Sequence, residues 1–155
     1  MKARIEIALP ALLITIAGLA AAALYWPGLS GPFLLDDANN VVRHLLIEWN
    51  FDAFVESIFQ NDSGPLGRPI PVASFIFSGL LHGNAEWGFK YHNLLLHLMI
   101  GLACYVFIVK LAVIAEFSEA KSHWVAALSA SLWLLHPLHI STTLYVYPVS
   151  TSWTV

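Results

Sequence analysis

Asp36 and Asp37 form a pair of neighbouring carboxylates early in the chain. Two such groups can share a divalent cation such as Mg²⁺ or Mn²⁺, or one can act as a general base while the other orients it. A solvated loop or a helix N-cap is the structural alternative, because aspartate shortly before Val41 suits a helix start. The pair alone leaves both interpretations open.

Arg68 and several histidines are candidates for binding an anion. Arg68 lies in a Gly-Arg-Pro motif, and a guanidinium can hold a phosphate through two parallel hydrogen bonds. His136 and His139 flank Pro137 and share one side if that turn stays helical. The alternatives are lipid headgroup contact for Arg68 and a helix end broken by Pro137 for the two histidines. Two histidines without a third ligand at a known spacing do not make a zinc site.

Small and polar residues recur at helical spacing further along the chain. Asn93, His97, Gly101 and Cys104 follow one another at steps of four, four and three residues, so they line one helix face. Such a face favours helix packing, in which glycine allows close approach and histidine finds a partner. Packing is the favoured interpretation for Gly101 and Cys104, whereas for His92 and His97 a functional role stays open.

The composition predicts an integral membrane protein. Of the 155 residues 58% are hydrophobic and only 11% are charged, and the mean hydropathy is +0.70. Soluble domains are ~45–50% apolar and ~25% charged, so these charges are too few to cover a globule in water. We therefore exclude an ordinary soluble enzyme and a disordered chain. The sequence has no basic run, so it predicts no nucleic-acid partner. The single cysteine, Cys104, excludes an internal disulfide framework.

Three apolar runs predict an all-α, polytopic membrane protein with about three transmembrane helices and an amphipathic helical outer loop. We expect the first helix at 1–26, the second at 91–115 and the third at 124–147, with a break at His136-Pro137. About 20 residues at ~1.5 Å each span a ~30 Å bilayer core. A cleavable signal peptide is the alternative for the first run, because Ala20–Ala23 are small.

The segments outside these helices are predicted to form an outer loop at 27–90, a short charged loop at 116–123 and a tail at 148–155. Within the outer loop, residues 41–59 show apolar side chains at helical spacing. Residues 70–81 are apolar but too few to span a membrane, which predicts an interfacial or re-entrant segment.

Lys2 and Arg4 predict a cytoplasmic N-terminus, because positive charges favour the cytoplasmic side. With about three spans, Asp36, Asp37 and His136 then lie on the same outer side of the membrane. One site could contain them all.

The order of these motifs resembles the N-terminal part of the GT-C membrane glycosyltransferases. It is most similar to the transmembrane and TPR-repeat O-mannosyltransferases and their bacterial TPR-containing relatives. The resemblance covers about residues 5–147 and rests on four stretches in this order: Phe33–Asp37, Gly67–Pro69, Tyr91–His97 and Leu134–His139.

This resemblance implies a transferase that uses a polyprenyl-phosphate-linked sugar and glycosylates a hydroxyl of a protein or glycan. It implies that Asp36 or Asp37 acts as catalytic base or as ligand of a divalent metal ion. It also implies that the donor phosphate is bound by a second set of residues, namely Arg68, His92, His136 and His139. Membrane lipids are the expected surroundings, and a bacterial inner membrane the expected location.

The chain departs from the family pattern at Tyr147–Val155, where the relatives carry a polar Gln-Arg pair and then further spanning helices. GT-C enzymes need more helices than this sequence offers, and this branch also carries a TPR domain. We therefore expect an N-terminal fragment of such an enzyme that is inactive by itself.

A non-catalytic membrane protein that acts as an assembly partner or scaffold is the alternative from another class. Such a protein would tolerate substitution of the acidic pair, Arg68 and His136, but would be sensitive at Gly101. A transporter fragment is a third possibility, and it would need ionisable groups at the bilayer midplane.

Overall fold

The computed structural model of the chain describes residues 2–31, 55, 69–82 and 86–144. This part of the chain forms helices and turns and contains no strand, so the all-α prediction is confirmed there. Asp36, Asp37, Arg68, the tail at 148–155 and, apart from Val55, the predicted helix at 41–59 lie outside the described residues.

The first helix, α1, covers Lys2–Tyr25 and is followed directly by a 3-10 helix at Trp26–Ser30. Ala17 and Ala21 are buried, whereas larger side chains such as Ile16 and Leu19 are exposed. Small residues on the packed face let the backbone of a neighbouring helix approach closely. The exposed apolar side chains fit a lipid environment.

The next two helices are α2 at Pro69–His82 and α3 at Glu86–Ile114. α2 has 14 residues and corresponds to the apolar stretch that is too short to span a membrane. α3 has 29 residues and begins at Glu86, before the predicted start at 91. Its first turns pack on α2, because Gly88 lies so close to His82 that a Cβ there would clash with it.

A tight turn connects α3 to the fourth helix, α4, at Glu119–Leu134. The N–H of Glu116 donates to the Val113 carbonyl, and the N–H of Phe117 donates to the Ala112 carbonyl, at 3.0 Å each. These two bonds form a Schellman motif, which closes the end of α3 and reverses the chain. Glu116 takes a φ of 60°, the left-handed conformation this motif requires.

α4 packs against both α1 and α3. Its buried side chains are mostly small, and they are Ser122, Ala126, Ala127, Ala130, Ser131 and Leu134. Beside the end of α1, a second group of buried residues contains Ala21, Tyr25, Leu29 and Leu94. These two groups hold the end of α1, the first half of α3 and the end of α4 together.

Two helical stretches, Ile7–Ser30 and Trp87–Ile114, are long and apolar enough to cross a membrane. The third predicted span differs, because residues 124–147 are divided between α4 and a short fifth helix, α5, at His139–Leu144. α4 has 16 residues, about 24 Å at ~1.5 Å each, which is shorter than a ~30 Å bilayer core. The structure therefore supports two candidate spans, with α4 ending just before Pro137.

Candidate functional site

Pro137 determines the local structure at the end of α4. A proline has no N–H, so the helical hydrogen bond to the Trp133 carbonyl cannot form. The N–H of His136 donates to that carbonyl instead, at 3.2 Å, and the chain turns into α5. The interruption places His136 at the turn and His139 at the start of α5.

His97 of α3 lies against this turn and is buried, with 6% of its surface exposed. Its Nε2 is 3.0 Å from the Leu134 carbonyl oxygen. Because a carbonyl only accepts hydrogen bonds, His97 must carry a proton on Nε2. A side chain from one helix therefore caps the C-terminal end of another.

Aromatic rings surround His97 on several sides. Trp133 stacks on it with ring centroids 4.8 Å apart, and Tyr25 meets it edge-on at 5.5 Å. The ring of His139 lies 5.3 Å from His97 and 4.4 Å from Trp133. His136 is 6.1 Å from His139, so the two predicted phosphate ligands at this turn are neighbours in space.

Each of the two histidines at the turn has a ring N–H that can donate a hydrogen bond. The N–H of Leu138 donates to Nδ1 of His136 at 3.3 Å, so the neutral ring carries its proton on Nε2. His139 has at least one ring N–H in either protonation state, so it too can donate a hydrogen bond.

An apolar cleft lies at the same turn, where Leu135 and Pro137 on either side of His136 contribute to its lining. It has a volume of about 300 Å³ and lies between the end of α1 and the turn that joins α4 to α5. Its lining consists of Ala21, Leu24, Tyr25, Leu134, Leu135, Pro137, Ile140 and Leu144. The lining is apolar apart from the Tyr25 hydroxyl, so a hydrocarbon chain fits it, and none of the three histidines contributes to it.

His92 belongs to a different group of side chains. Its ring lies 5.9 Å from Phe77 of α2, whereas the contacts of His139 are with His97, Trp133 and His136. The four residues predicted to bind phosphate therefore do not form one group. His136 and His139 are neighbours, whereas His92 faces α2. Arg68 lies outside the described residues.

Lys90 is a residue whose importance the sequence did not indicate. Its side chain is only 3% exposed, and its Nζ donates to the carbonyl of Gly31. Gly31 is the last described residue before the segment that contains Asp36 and Asp37. Lys90 thus holds Gly31 against α3. Its position in the polar start of α3 gave no hint of burial, because the Gly31 contact joins residues distant in the sequence.

A metal site is not found in the part of the chain that the structure describes. No group of three or more His, Cys, Asp or Glu side chains there could hold a metal ion. The predicted metal ligands, Asp36 and Asp37, lie outside that part, so a divalent metal ion stays a prediction.

Comparison with known proteins gives no family assignment, because no protein family, no curated protein and no solved structure matches this chain.

Proposed function

We propose that this chain is the N-terminal module of an integral-membrane glycosyltransferase of the GT-C type, which uses a polyprenyl-phosphate-linked sugar as donor. The observation that supports the proposal is the pair of neighbouring histidines, His136 and His139, at a turn whose Leu135 and Pro137 line an apolar cleft of about 300 Å³. A lipid-linked donor has a phosphate and a hydrocarbon chain, and this arrangement offers a partner for each.

The imidazoles would bind the phosphate through hydrogen bonds. His136 presents an Nε2–H, because its Nδ1 accepts the N–H of Leu138. A ring N–H of His139 adds a second donor. Hydrogen bonds to a phosphate oxygen are charge-assisted and therefore stronger than bonds between neutral groups.

In the proposed transfer, Asp36 or Asp37 takes the proton of the acceptor hydroxyl. The hydroxyl oxygen bonds to C1 of the sugar, and the bond between C1 and the phosphate oxygen breaks. The electron pair leaves with the lipid phosphate, whose charge the imidazole N–H groups and Arg68 stabilise. A divalent ion on the acidic pair would add to this stabilisation.

In this proposal the chain enters a bacterial inner membrane with its N-terminus in the cytoplasm. α1 and α3 cross the bilayer, and α4 is the third membrane segment. Because α4 is shorter than the bilayer core, the turn at Pro137 lies below the outer surface. A lipid-linked donor could then reach His136 and His139 from within the bilayer.

The test is binding of undecaprenyl phosphate to the purified chain in lipid nanodiscs, with undecaprenol as the matched lipid without phosphate. We expect wild-type protein to bind the phosphate at least ~10-fold more tightly than the alcohol. The double substitution His136→Gln with His139→Gln should reduce this preference to about 2-fold, because each histidine supplies a donor to the phosphate.

His123→Gln is the matched control. His123 also lies in α4, but its Nδ1 is paired with the Tyr105 hydroxyl at 2.7 Å, far from the turn. This variant should keep the wild-type preference for the phosphate. Equal affinity of wild-type protein for both lipids would exclude the proposed donor site and leave the scaffold function as the better explanation.

A further inference from the structure

The Leu134 carbonyl needs a donor from outside its own helix. In a continuous helix this carbonyl would accept the N–H of Leu138. The turn at Pro137 prevents that bond, and the N–H of Leu138 donates to Nδ1 of His136 instead, at 3.3 Å. The Nε2–H of His97 replaces the missing donor at 3.0 Å. An unpaired buried carbonyl would cost about 1–3 kcal/mol.

The same face of α3 also contacts the Leu134 side chain. Gly101 lies four residues after His97, one helical turn further along that face. A Cβ at Gly101 would come within 2.4 Å of Cδ2 of Leu134. α3 therefore contacts Leu134 twice, at its carbonyl through His97 and at its side chain through Gly101.

We propose that His97 is a positioning residue of the donor site, which fixes the end of α4 and thereby places His136 and His139. This inference rests on the proposed function. His97 reaches the site in two ways, through its hydrogen bond to the Leu134 carbonyl and through its ring contacts with Trp133 and His139. It is not expected to touch the phosphate, because its Nε2–H is already used.

Two substitutions distinguish the effect of the His97 hydrogen bond from the effect of the side-chain volume of His97. His97→Gln keeps an N–H donor at about the reach of Nε2, whereas His97→Leu keeps volume and removes the donor. Spin labels at Ser141→Cys in α5 and Lys110→Cys in α3 report the position of α5, in a Cys104→Ala background. Ser141 and Lys110 are both exposed, so labels there fit without repacking.

We expect a narrow distance distribution between the labels in the wild-type background and in His97→Gln. In His97→Leu we expect a distribution at least about twice as broad and undecaprenyl phosphate binding weakened by ~10-fold. His123→Leu is the matched control, since it removes the other histidine bond between α3 and α4, to Tyr105. It should leave the position of α5 and the lipid affinity unchanged.

The outcomes distinguish the two proposals. If wild-type protein prefers undecaprenyl phosphate and His97→Leu binds it equally well with an unchanged label distance, His97 has no positioning role. If wild-type protein shows no preference for the phosphate, the proposed function itself fails, whatever the label distances are.

A measurement on the unsubstituted chain covers the case that His97→Leu does not fold. ¹⁵N-histidine NMR of wild-type protein should show His97 with its proton on Nε2, protected from exchange. A proton on Nδ1 of neutral His97 would overturn the inference, because the bond to the Leu134 carbonyl could not then exist.

Discussion

Gly101 lies where α3 packs tightly on α4, so its substitution should be costly. A Cβ there would come 2.4 Å from the buried Leu134 side chain. We expect Gly101→Ala to lower the free energy of unfolding by about 1–3 kcal/mol, as overpacked sites do. Gly18→Ala is the matched control, because nothing lies within 4 Å of its Cβ position. That substitution should stabilise α1 by about 0.5–1 kcal/mol, through higher helix propensity.

The stripe of small and polar residues predicted helix packing at Gly101, and in the structure Gly101 packs closely against Leu134 of α4. It did not predict the partner of His97. The bond to the Leu134 carbonyl joins residues 37 positions apart and forms only because Pro137 interrupts α4. Periodicity identifies the face of a helix, but not which atom of another helix meets it.

Among the helices, the end of α3 contains a residue that does not suit its conformation. Glu116 has a φ of 60°, which costs a residue with a side chain roughly 1–2 kcal/mol relative to glycine. We expect Glu116→Gly to raise the free energy of unfolding by about 0.5–1 kcal/mol, since the greater freedom of unfolded glycine offsets part of the gain. Thermal unfolding in detergent measures this change.

Glu119→Gly provides the control three residues later. Glu119 lies in the first turn of α4, where a negative charge is favourable. The same substitution should therefore destabilise the protein by about 1 kcal/mol. Similar effects of the two substitutions would contradict the interpretation of Glu116.

Long apolar runs predicted α1 and α3, because hydropathy over about 20 residues depends little on tertiary contacts. The start of α3 was less predictable. Trp87 stacks on Tyr91 with ring centroids 4.8 Å apart, and Gly88 packs on His82, so residues that look like a polar loop extend the helix. For residues 124–147 the sequence predicted one helix with a kink, whereas the structure has two helices. Pro137 indicates a break in the helix but not the direction of the chain beyond it.

In the whole molecule, the end of α1 and the end of α4 lie on one side of the bundle. Tyr25 is 5.5 Å from His97, whose Nε2 binds the Leu134 carbonyl. Single cysteines in a Cys104→Ala background test this arrangement in intact cells. We expect Ser30→Cys to react with a membrane-impermeant thiol reagent from outside, and Ser118→Cys to react only after permeabilisation. Labelling of both from one side would contradict the proposed topology.

The alanine face of α1 has a consequence for biosynthesis. α1 packs more extensively on α4 than on α3, yet α4 is the later of the two to leave the ribosome. If α1 spans the membrane as proposed, the part of its face that packs on α4 is exposed to lipid until α4 has been made. A polar residue there would be unpaired in hydrocarbon throughout that interval, whereas alanine is compatible with lipid first and with a close helix contact later.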